Sequence, residues 1–156
     1  MRASLNVQCL ALAAALALPA PAAAHWEKTK WGMSPQQVKA AMGAAPGSGI
    51  PGDNMPGYTV GNVGTYAKGG FSFRAVYYHR SNALALVLLQ LNSGDCAALR
   101  RSLVAAHGAP ATAQTNAVFE SAVWRDKLKN DQMTYRRIGT CSIRYQPLAA
   151  PAAAAS

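Results

Sequence analysis

The chain has 156 residues, a formal net charge of +9 and 51% hydrophobic residues. This length suits one domain with its own hydrophobic core. The positive charge favours an anionic partner such as lipid head groups, lipopolysaccharide or an acidic protein face, although it equally serves solubility.

Residues 1–24 predict a secretory signal peptide. Arg2 gives a positive start, an apolar run follows over residues 7–18, and a pattern of small residues ends at Ala24. The apolar run, roughly a dozen residues, is shorter than the ~20 that a membrane span needs. Cys9 lies inside this run without the preceding residues of a lipoprotein signal. We therefore expect cleavage near Ala24, a periplasmic protein, and no transmembrane span in the mature chain.

Export determines how the remaining cysteines are interpreted. In an oxidising compartment Cys96 and Cys141 predict one disulfide bond. Closing a loop of about 46 residues would stabilise the fold by roughly 4 kcal/mol in the chain-entropy model. The compartment also disfavours nucleic acid as a partner of this basic chain.

The first helix is marked by a capping box and is followed by a long loop. Ser34 is a favourable N-cap, Gln37 completes the S-x-x-Q pattern, and Gly43 predicts the helix end. Residues 44–57 are rich in Gly, Pro and Asn and show no periodicity, which predicts a surface loop. Such a loop is either a binding element or a mobile insertion.

Strands are predicted on both sides of a second helix. Before it lie a weak strand at 58–63, an alternating strand at 71–78, a turn at 79–82 and an apolar central strand at 84–91. After it lie strands at 118–125, 132–138 and 141–145. The second helix has Asp95 as N-cap, and it carries Cys96, Leu99 and Leu103 on one face. In the last strand, Cys141 lies on the same face as Ile143 and Tyr145, and this face would point Cys141 toward the second helix.

The order of helix, strands, helix, strands predicts one α+β domain over residues 25–146, an antiparallel sheet with helices packed on one side. The two helix ends, 38–44 and 103–109, are alike, which favours tandem helix-plus-β-meander halves at 26–91 and 92–146. Ala-rich helix ends also match by chance, so the alternative is that the two helix ends are alike without an internal repeat. Residues 147–156, rich in Ala and Pro, predict a disordered tail.

These motifs resemble those of small exported bacterial proteins. Residues 31–38, closing at Gly43, resemble the helix opening of the β-lactamase-inhibitor-protein-like fold and of the SmpA/OmlA outer-membrane assembly lipoproteins. The second half is similar to uncharacterised periplasmic relatives of that kind; the residues concerned are Cys96, Leu99, Leu103, Gly108, Trp124 and 141–145. The resemblance implies a sheet covered by helices and function through protein contacts. The chain lacks the lipidation cysteine of the assembly lipoproteins.

Catalytic and metal-binding motifs are weak in this sequence. It contains no nucleophile elbow and no P-loop, while Asp53 falls in turn-rich sequence and Glu120 at an outward strand position. We expect no enzyme activity and no cofactor. If His25 is the mature N-terminus, its amine and ring could chelate copper with His79 or His107 as further ligand. Structural roles in a turn and at a helix end are the alternatives for His79 and His107.

Basic residues cluster toward the C-terminal strands. The candidate ligand-binding residues are Arg125, Lys127, Arg136, Arg137 and Arg144. Like charges on one face reduce stability unless an anionic partner relieves the repulsion, and the alternative is a scatter of solvated arginines. We expect a non-catalytic binding protein of the cell envelope. Its partner would be another envelope protein, contacted through the sheet face or loop 44–57, or else an anionic lipid or glycan.

Overall fold

The computed structural model describes residues 25–50 and 52–148. The predicted signal peptide, residues 149–156 of the predicted tail, and the side chain of His25 lie outside the described part. The elements in chain order are β1 (His25–Trp26), β2 (Thr29–Lys30), α1 (Pro35–Met42), β3 (Ala45–Pro46), β4 (Thr59–Lys68), β5 (Phe71–Arg80), β6 (Ala83–Ser93), α2 (Cys96–His107), β7 (Thr112–Thr115), β8 (Glu120–Asp126), β9 (Asp131–Ile138) and β10 (Thr140–Pro147).

Strands β3 to β10 form one eight-stranded sheet in which every pair is antiparallel. The strand order is β3-β4-β5-β6-β10-β9-β8-β7, so that β6 and β10 meet in the middle. Strands β1 and β2 form a separate two-stranded ribbon. Side chains of α1 and α2 pack into one hydrophobic cluster with the same face of the sheet. The predicted α+β class is confirmed.

Both helices begin where the sequence predicts, and for the predicted reason. Ser34 Oγ accepts a hydrogen bond from the Gln37 backbone N–H at 3.3 Å, and Gln37 Oε1 accepts one from the Ser34 N–H at 2.8 Å. Asp95 Oδ1 accepts from the Ala98 N–H at 2.7 Å. These side chains satisfy backbone donors that the first helical turn leaves unpaired.

Most predicted strands are longer in the structure, whereas β8 begins two residues later than predicted, and the short strands β1, β2, β3 and β7 were missed. The β5–β6 turn contains only Ser81 and Asn82, with φ of 48° and 63°. These angles fit a two-residue hairpin turn with both residues left-handed. His79, expected in this turn, therefore lies in β5, where its side chain is buried. Strand β7 is short, polar and exposed along its whole length, so it carries no alternating apolar pattern.

The predicted disulfide is present and ties α2 to the centre of the sheet. Cys96 and Cys141 are bonded, with their Cα atoms 5.8 Å apart. Cys141 is buried on the inner face of β10, and Leu99 and Leu103 of α2 pack in the same cluster. The predicted orientation of the last strand toward the second helix is confirmed.

The last strand extends past the predicted domain boundary at residue 146. Pro147 pairs with Asp131 in the β9–β10 ladder. The Leu148 N–H then donates to the Asn130 carbonyl at 3.0 Å. Two residues assigned by sequence to the tail therefore belong to the folded domain.

The loop predicted at 44–57 covers part of the sheet. Ala44 is buried and β3 pairs with β4, while Met55 and Tyr58 pack on the outer face. There they cover the buried side chains of Val76, Tyr78 and Leu86. Around these residues the sheet is thus covered on both faces.

Candidate ligand-binding surface

The outer face of β8, β9 and β10 carries no fully buried side chain in the described chain. Along these strands the inward side chains, such as Ala122, Tyr135 and Ile143, are buried, whereas the outward ones remain at least partly exposed. We call this outward set the bare face; its residues are Ser121, Val123, Arg125, Gln132, Thr134, Arg136, Ile138, Thr140, Ser142, Arg144 and Gln146. Because side chains alternate along a strand, one register places all of them on the same side.

The bare face is polar and positively charged. Its charged members are Arg125, Arg136 and Arg144, and none of its residues is acidic. Arg136 lies opposite Ser142, and Arg144 lies opposite Thr134, in the β9–β10 ladder. The two arginines are therefore diagonal neighbours on adjacent strands, within reach of each other's long side chains.

The five residues predicted as a basic patch do not form one surface. Arg137 follows Arg136 in β9 and so points to the inner face, opposite Cys141. There Arg137 Nε donates to Glu120 Oε2 at 3.2 Å, and Arg100 pairs with the other oxygen of the same carboxylate. Lys127 lies in the β8–β9 turn, away from Arg136 and Arg144. Of the predicted patch, the sheet brings together Arg136 and Arg144, and Arg125 lies farther along the same face, opposite Gln132.

Glu120 corrects a second expectation. The sequence suggested an outward strand position, but Glu120 lies opposite Arg137 with only 12% of its side chain exposed. Two arginines neutralise it on the inner side of the sheet. This carboxylate therefore balances local charge and does not reach the bare face.

A groove runs between the bare face and the loop that covers the first half of the sheet. Its volume is about 240 Å³. Thr134, Ser142 and Arg144 contribute from the strands, and residues 52–55 contribute from the loop. Its walls therefore carry hydroxyl and guanidinium donors together with loop backbone.

Arg144 is the charged residue most closely held in this groove. Its side chain is half-buried, and its Nε atom is buried without a hydrogen-bond partner in the described residues. Burial raises the pKa of neighbouring Tyr78, while the positive charges of Arg74 and Arg144 act in the opposite direction. A buried donor without a partner is costly. The other N–H groups of the guanidinium are the donors that Arg144 can offer to the groove.

The acidic residue of the groove is already neutralised. Asp53, 2% exposed, accepts hydrogen bonds from Arg74 at 3.0 and 2.6 Å and from the Ile50 N–H at 2.8 Å. The Arg74 guanidinium holds the pKa of the Asp53 carboxyl below its usual range. Sequence reasoning assigned Asp53 to a turn and missed this pair, because nothing local links residues 53 and 74. The groove consequently keeps the positive charges of Arg136 and Arg144.

A larger cleft of about 710 Å³ opens on the inner side of the sheet. Trp26, Trp124 and Tyr145 line it, but the two indoles are nearly buried and the Trp124 N–H donates to the Gly108 carbonyl at 2.9 Å. Its rim mixes both charges: Lys68, Lys127 and Lys129 with Glu27, Asp126 and Asp131. The rings serve the core, and the mixed rim favours no particular class of ligand.

The copper hypothesis gains no support from the described residues. No group of three or more His, Cys, Asp or Glu side chains within them could hold a metal ion. His79 is buried in β5, and burial lowers its pKa. His107 lies at the end of α2, and its pKa is lowered by burial and by the positive charges of Lys129 and Lys68. The side chain of His25 lies outside the described part.

Comparisons with protein-family models, with curated proteins and with solved structures found no match. Neither helix in the described residues is long and apolar enough to cross a membrane.

Proposed function

We propose that this chain is an exported, non-catalytic binding protein of the bacterial cell envelope, and that the bare face is its binding surface. The observation that carries the proposal is the contrast across β8, β9 and β10, where every fully buried side chain lies on the inner face and the outer ones are all half-buried or exposed. An exposed sheet face with charge of one sign is typical of a surface that meets a partner of the opposite sign.

The composition of the bare face favours an anionic ligand over a second protein. Protein interfaces have a dry core rich in aromatic and apolar side chains. Here the apolar members are Val123 and Ile138, at separate positions among hydroxyls, amides and arginines. An anionic lipid surface needs no apolar core, and each arginine close to it contributes roughly 1 kcal/mol.

Vesicle flotation tests this proposal. The protein purified from the exporting cell should bind vesicles of phosphatidylcholine with phosphatidylglycerol, and binding should weaken with salt. Replacing Arg125→Glu and Arg136→Glu together should weaken binding about tenfold or more. Arg101→Glu, on the exposed side of α2, is the matched control and should bind like wild type. Equal binding to neutral vesicles, or full binding by the double variant, would contradict the proposal.

A protein partner is the second candidate, and the edge strand β7 favours it. Every residue of β7, Thr112–Thr115, is exposed, and β7 pairs only with β8 in the sheet. Such an edge can accept an added strand from another chain. A photo-cross-linker at Gln114 would then capture one envelope protein in intact cells, whereas the same probe at Ser121 on the bare face would not.

The tandem-half arrangement and the resemblance stated above belong to the same proposal. Helix α1 precedes β3 to β6, and α2 precedes β7 to β10, which supports two helix-plus-meander halves. The resemblance to the β-lactamase-inhibitor-protein-like and SmpA/OmlA proteins remains a prediction, consistent with helices on one side of an antiparallel sheet.

Export itself has a direct test. N-terminal sequencing of the purified protein should begin at or near His25, because the small-residue pattern ends at Ala24. A retained Met1 would contradict export. A start at any residue other than His25 would also remove the proposed copper chelate.

A further inference from the structure

The groove beside the loop concentrates hydrogen-bond donors around one point of the bare face. Arg136 and Arg144 reach it from diagonal positions on β9 and β10, and Thr134, Thr140 and Ser142 add hydroxyls. Guanidinium groups bind oxyanions through parallel N–H donors, and hydroxyls complete the shell. The arrangement suits an anion with several acceptor oxygens.

Charge balance leaves these donors available. Asp53 is the acidic side chain that lines the groove, and its carboxylate is held by Arg74. The buried Nε of Arg144 has no partner among the described residues. A ligand in the groove would meet the remaining N–H groups of the Arg144 guanidinium, because the residue lines the groove while its Nε atom is buried.

The size and openness of the groove identify how the anion is presented. Its volume of about 240 Å³ is many times the ~10–15 Å³ that one water molecule needs. This space holds one oxyanion and several atoms of the group that carries it. Arg136 is exposed, and Arg125 lies farther along the same face, so positive charge continues outside the groove. An extended anionic surface uses these additional charges, whereas a free ion does not.

We propose that this groove binds the phosphate group of an anionic lipid head group, with Arg144 and Arg136 as its charged donors and Thr134 and Ser142 as its hydroxyl donors. The inference rests on the proposed function, since it locates the specific contact within the bare face. Phosphate fits better than carboxylate because a carboxylate offers two oxygens, fewer than the donors gathered here can use.

The test compares phosphate with another anion on the same kind of membrane. The protein purified from the exporting cell is floated with vesicles of phosphatidylcholine containing either phosphatidic acid or oleate, at matched surface charge. Wild type should bind the phosphatidic acid vesicles more tightly. Arg144→Lys keeps the charge but loses the planar fork, so it should reduce this preference about tenfold. Arg101→Lys on α2 is the matched control and should keep it.

A variant with unchanged net charge separates the phosphate site from general electrostatic attraction to the membrane. Thr134→Val with Ser142→Ala removes the hydroxyls at constant charge, and it should weaken binding to phosphatidic acid about fivefold while leaving binding to oleate unchanged. Circular dichroism checks that each variant folds.

The outcomes separate this inference from the function on which it rests. If Arg125→Glu with Arg136→Glu abolishes binding but Arg144→Lys and the hydroxyl variant behave like wild type, the bare face binds anions and the phosphate site is wrong. If inorganic phosphate alone binds as tightly as the vesicles, the ligand is the free ion and the lipid assignment is wrong. A third outcome uses competitors added to protein that is bound to vesicles. If an acidic peptide releases the protein at a lower concentration than added vesicles of phosphatidic acid do, the partner is a protein and the phosphate assignment is also wrong.

Discussion

The two halves of the outer sheet face differ in how much of them is covered, and Arg74 and Arg136 illustrate the difference. Arg74 and Arg136 lie in the same cross-strand row, joined through Gln90 and Ser142. Arg74 is covered by the loop and paired with Asp53, with 20% of its side chain exposed. Arg136 is exposed on the bare face, where its guanidinium lies 5.6 Å from the centre of the Phe119 ring. The same residue type is structural in one half and available to a partner in the other.

Connection length explains this difference. The chain between β3 and β4 spans residues 47–58, long enough to fold back over the sheet and bring Met55 and Tyr58 onto it. Between β7 and β8 it spans only residues 116–119, and Asn116 Oδ1 closes that turn by accepting from the Val118 and Phe119 N–H groups at 3.0 and 2.8 Å. The shorter connection cannot cover its half of the face. The open surface therefore follows from local sequence.

Removing the disulfide should have the largest effect on the free energy of unfolding. In the half of the sheet that carries the bare face, a helix packs on the inner side alone. Replacing both Cys96→Ser and Cys141→Ser should lower the free energy of unfolding by about 4 kcal/mol. Urea denaturation under oxidising conditions measures this loss. Reductant should lower the stability of wild type to that of the variant and leave the variant unchanged. An unaltered midpoint in the variant would show that the bond does not stabilise the fold.

Removing the charge of Arg74 should be the next largest change. Arg74→Gln leaves the Asp53 carboxylate buried without its ionic partner, which should lower the free energy of unfolding by about 3 kcal/mol. Lys68→Gln is the control, since its partner Glu27 is partly exposed and Lys68 itself is 71% exposed. An exposed pair of that kind is worth about 0.5 kcal/mol. Equal losses in the two variants would mean that the loop does not bury the Asp53 pair.

How much of this could be predicted differs between local and long-range features. The capping box of α1, the Asp95 cap and the face of Cys96, Leu99 and Leu103 depend on residues within one or two turns, and all were predicted correctly. The pairing of Asp53 with Arg74 crosses 21 residues, and its ends lie in a loop and a strand without a shared pattern. The α+β class was predictable from the order of elements, but the covering loop was not.

The candidate site shows the same limit. Alternation in Cys141-Ser142-Ile143-Arg144 already separates inward from outward side chains, so Ser142 and Arg144 were predictable as neighbours on one face. The register between strands was not predictable. Grouping Arg137 with Arg136 ignored alternation within β9, which sends Arg137 to the inner face and to Glu120. Thr134 entered the site only through its pairing with Arg144.

The covered half should also make stability depend on pH through His79. A Cβ on Gly61 would collide with the His79 imidazole, so the ring fills a closed space, and burial lowers its pKa from 6.5. Above pH 6.5 the ring is neutral in both the folded and the unfolded state, and the free energy of unfolding does not depend on pH through His79. As pH falls below this value, only the unfolded state binds the proton readily, and stability decreases by up to about 1.4 kcal/mol per pH unit.

Denaturation at about pH 7.5 and about pH 5.5 measures this dependence. The pKa of His107 is lowered as well and acts in the same direction. We therefore compare His107→Asn alone with His107→Asn combined with His79→Gln. The combined variant should lose less stability on acidification. An identical loss in both would assign the pH dependence to other groups.

Arg136→Gln should change stability least, and this small effect sharpens the comparison with Arg74. The contact of Arg136 with the Phe119 ring contributes roughly 0.5 kcal/mol at an exposed site. Repulsion from Arg144 on the adjacent strand opposes it with a similar magnitude. The free energy of unfolding should therefore change by less than about 0.5 kcal/mol. Salt screens the repulsion, so added salt should stabilise wild type more than the variant in the same denaturation experiment. A loss as large as that of Arg74→Gln would mean that Arg136 holds the fold together, and the bare face would then no longer be free to serve a ligand.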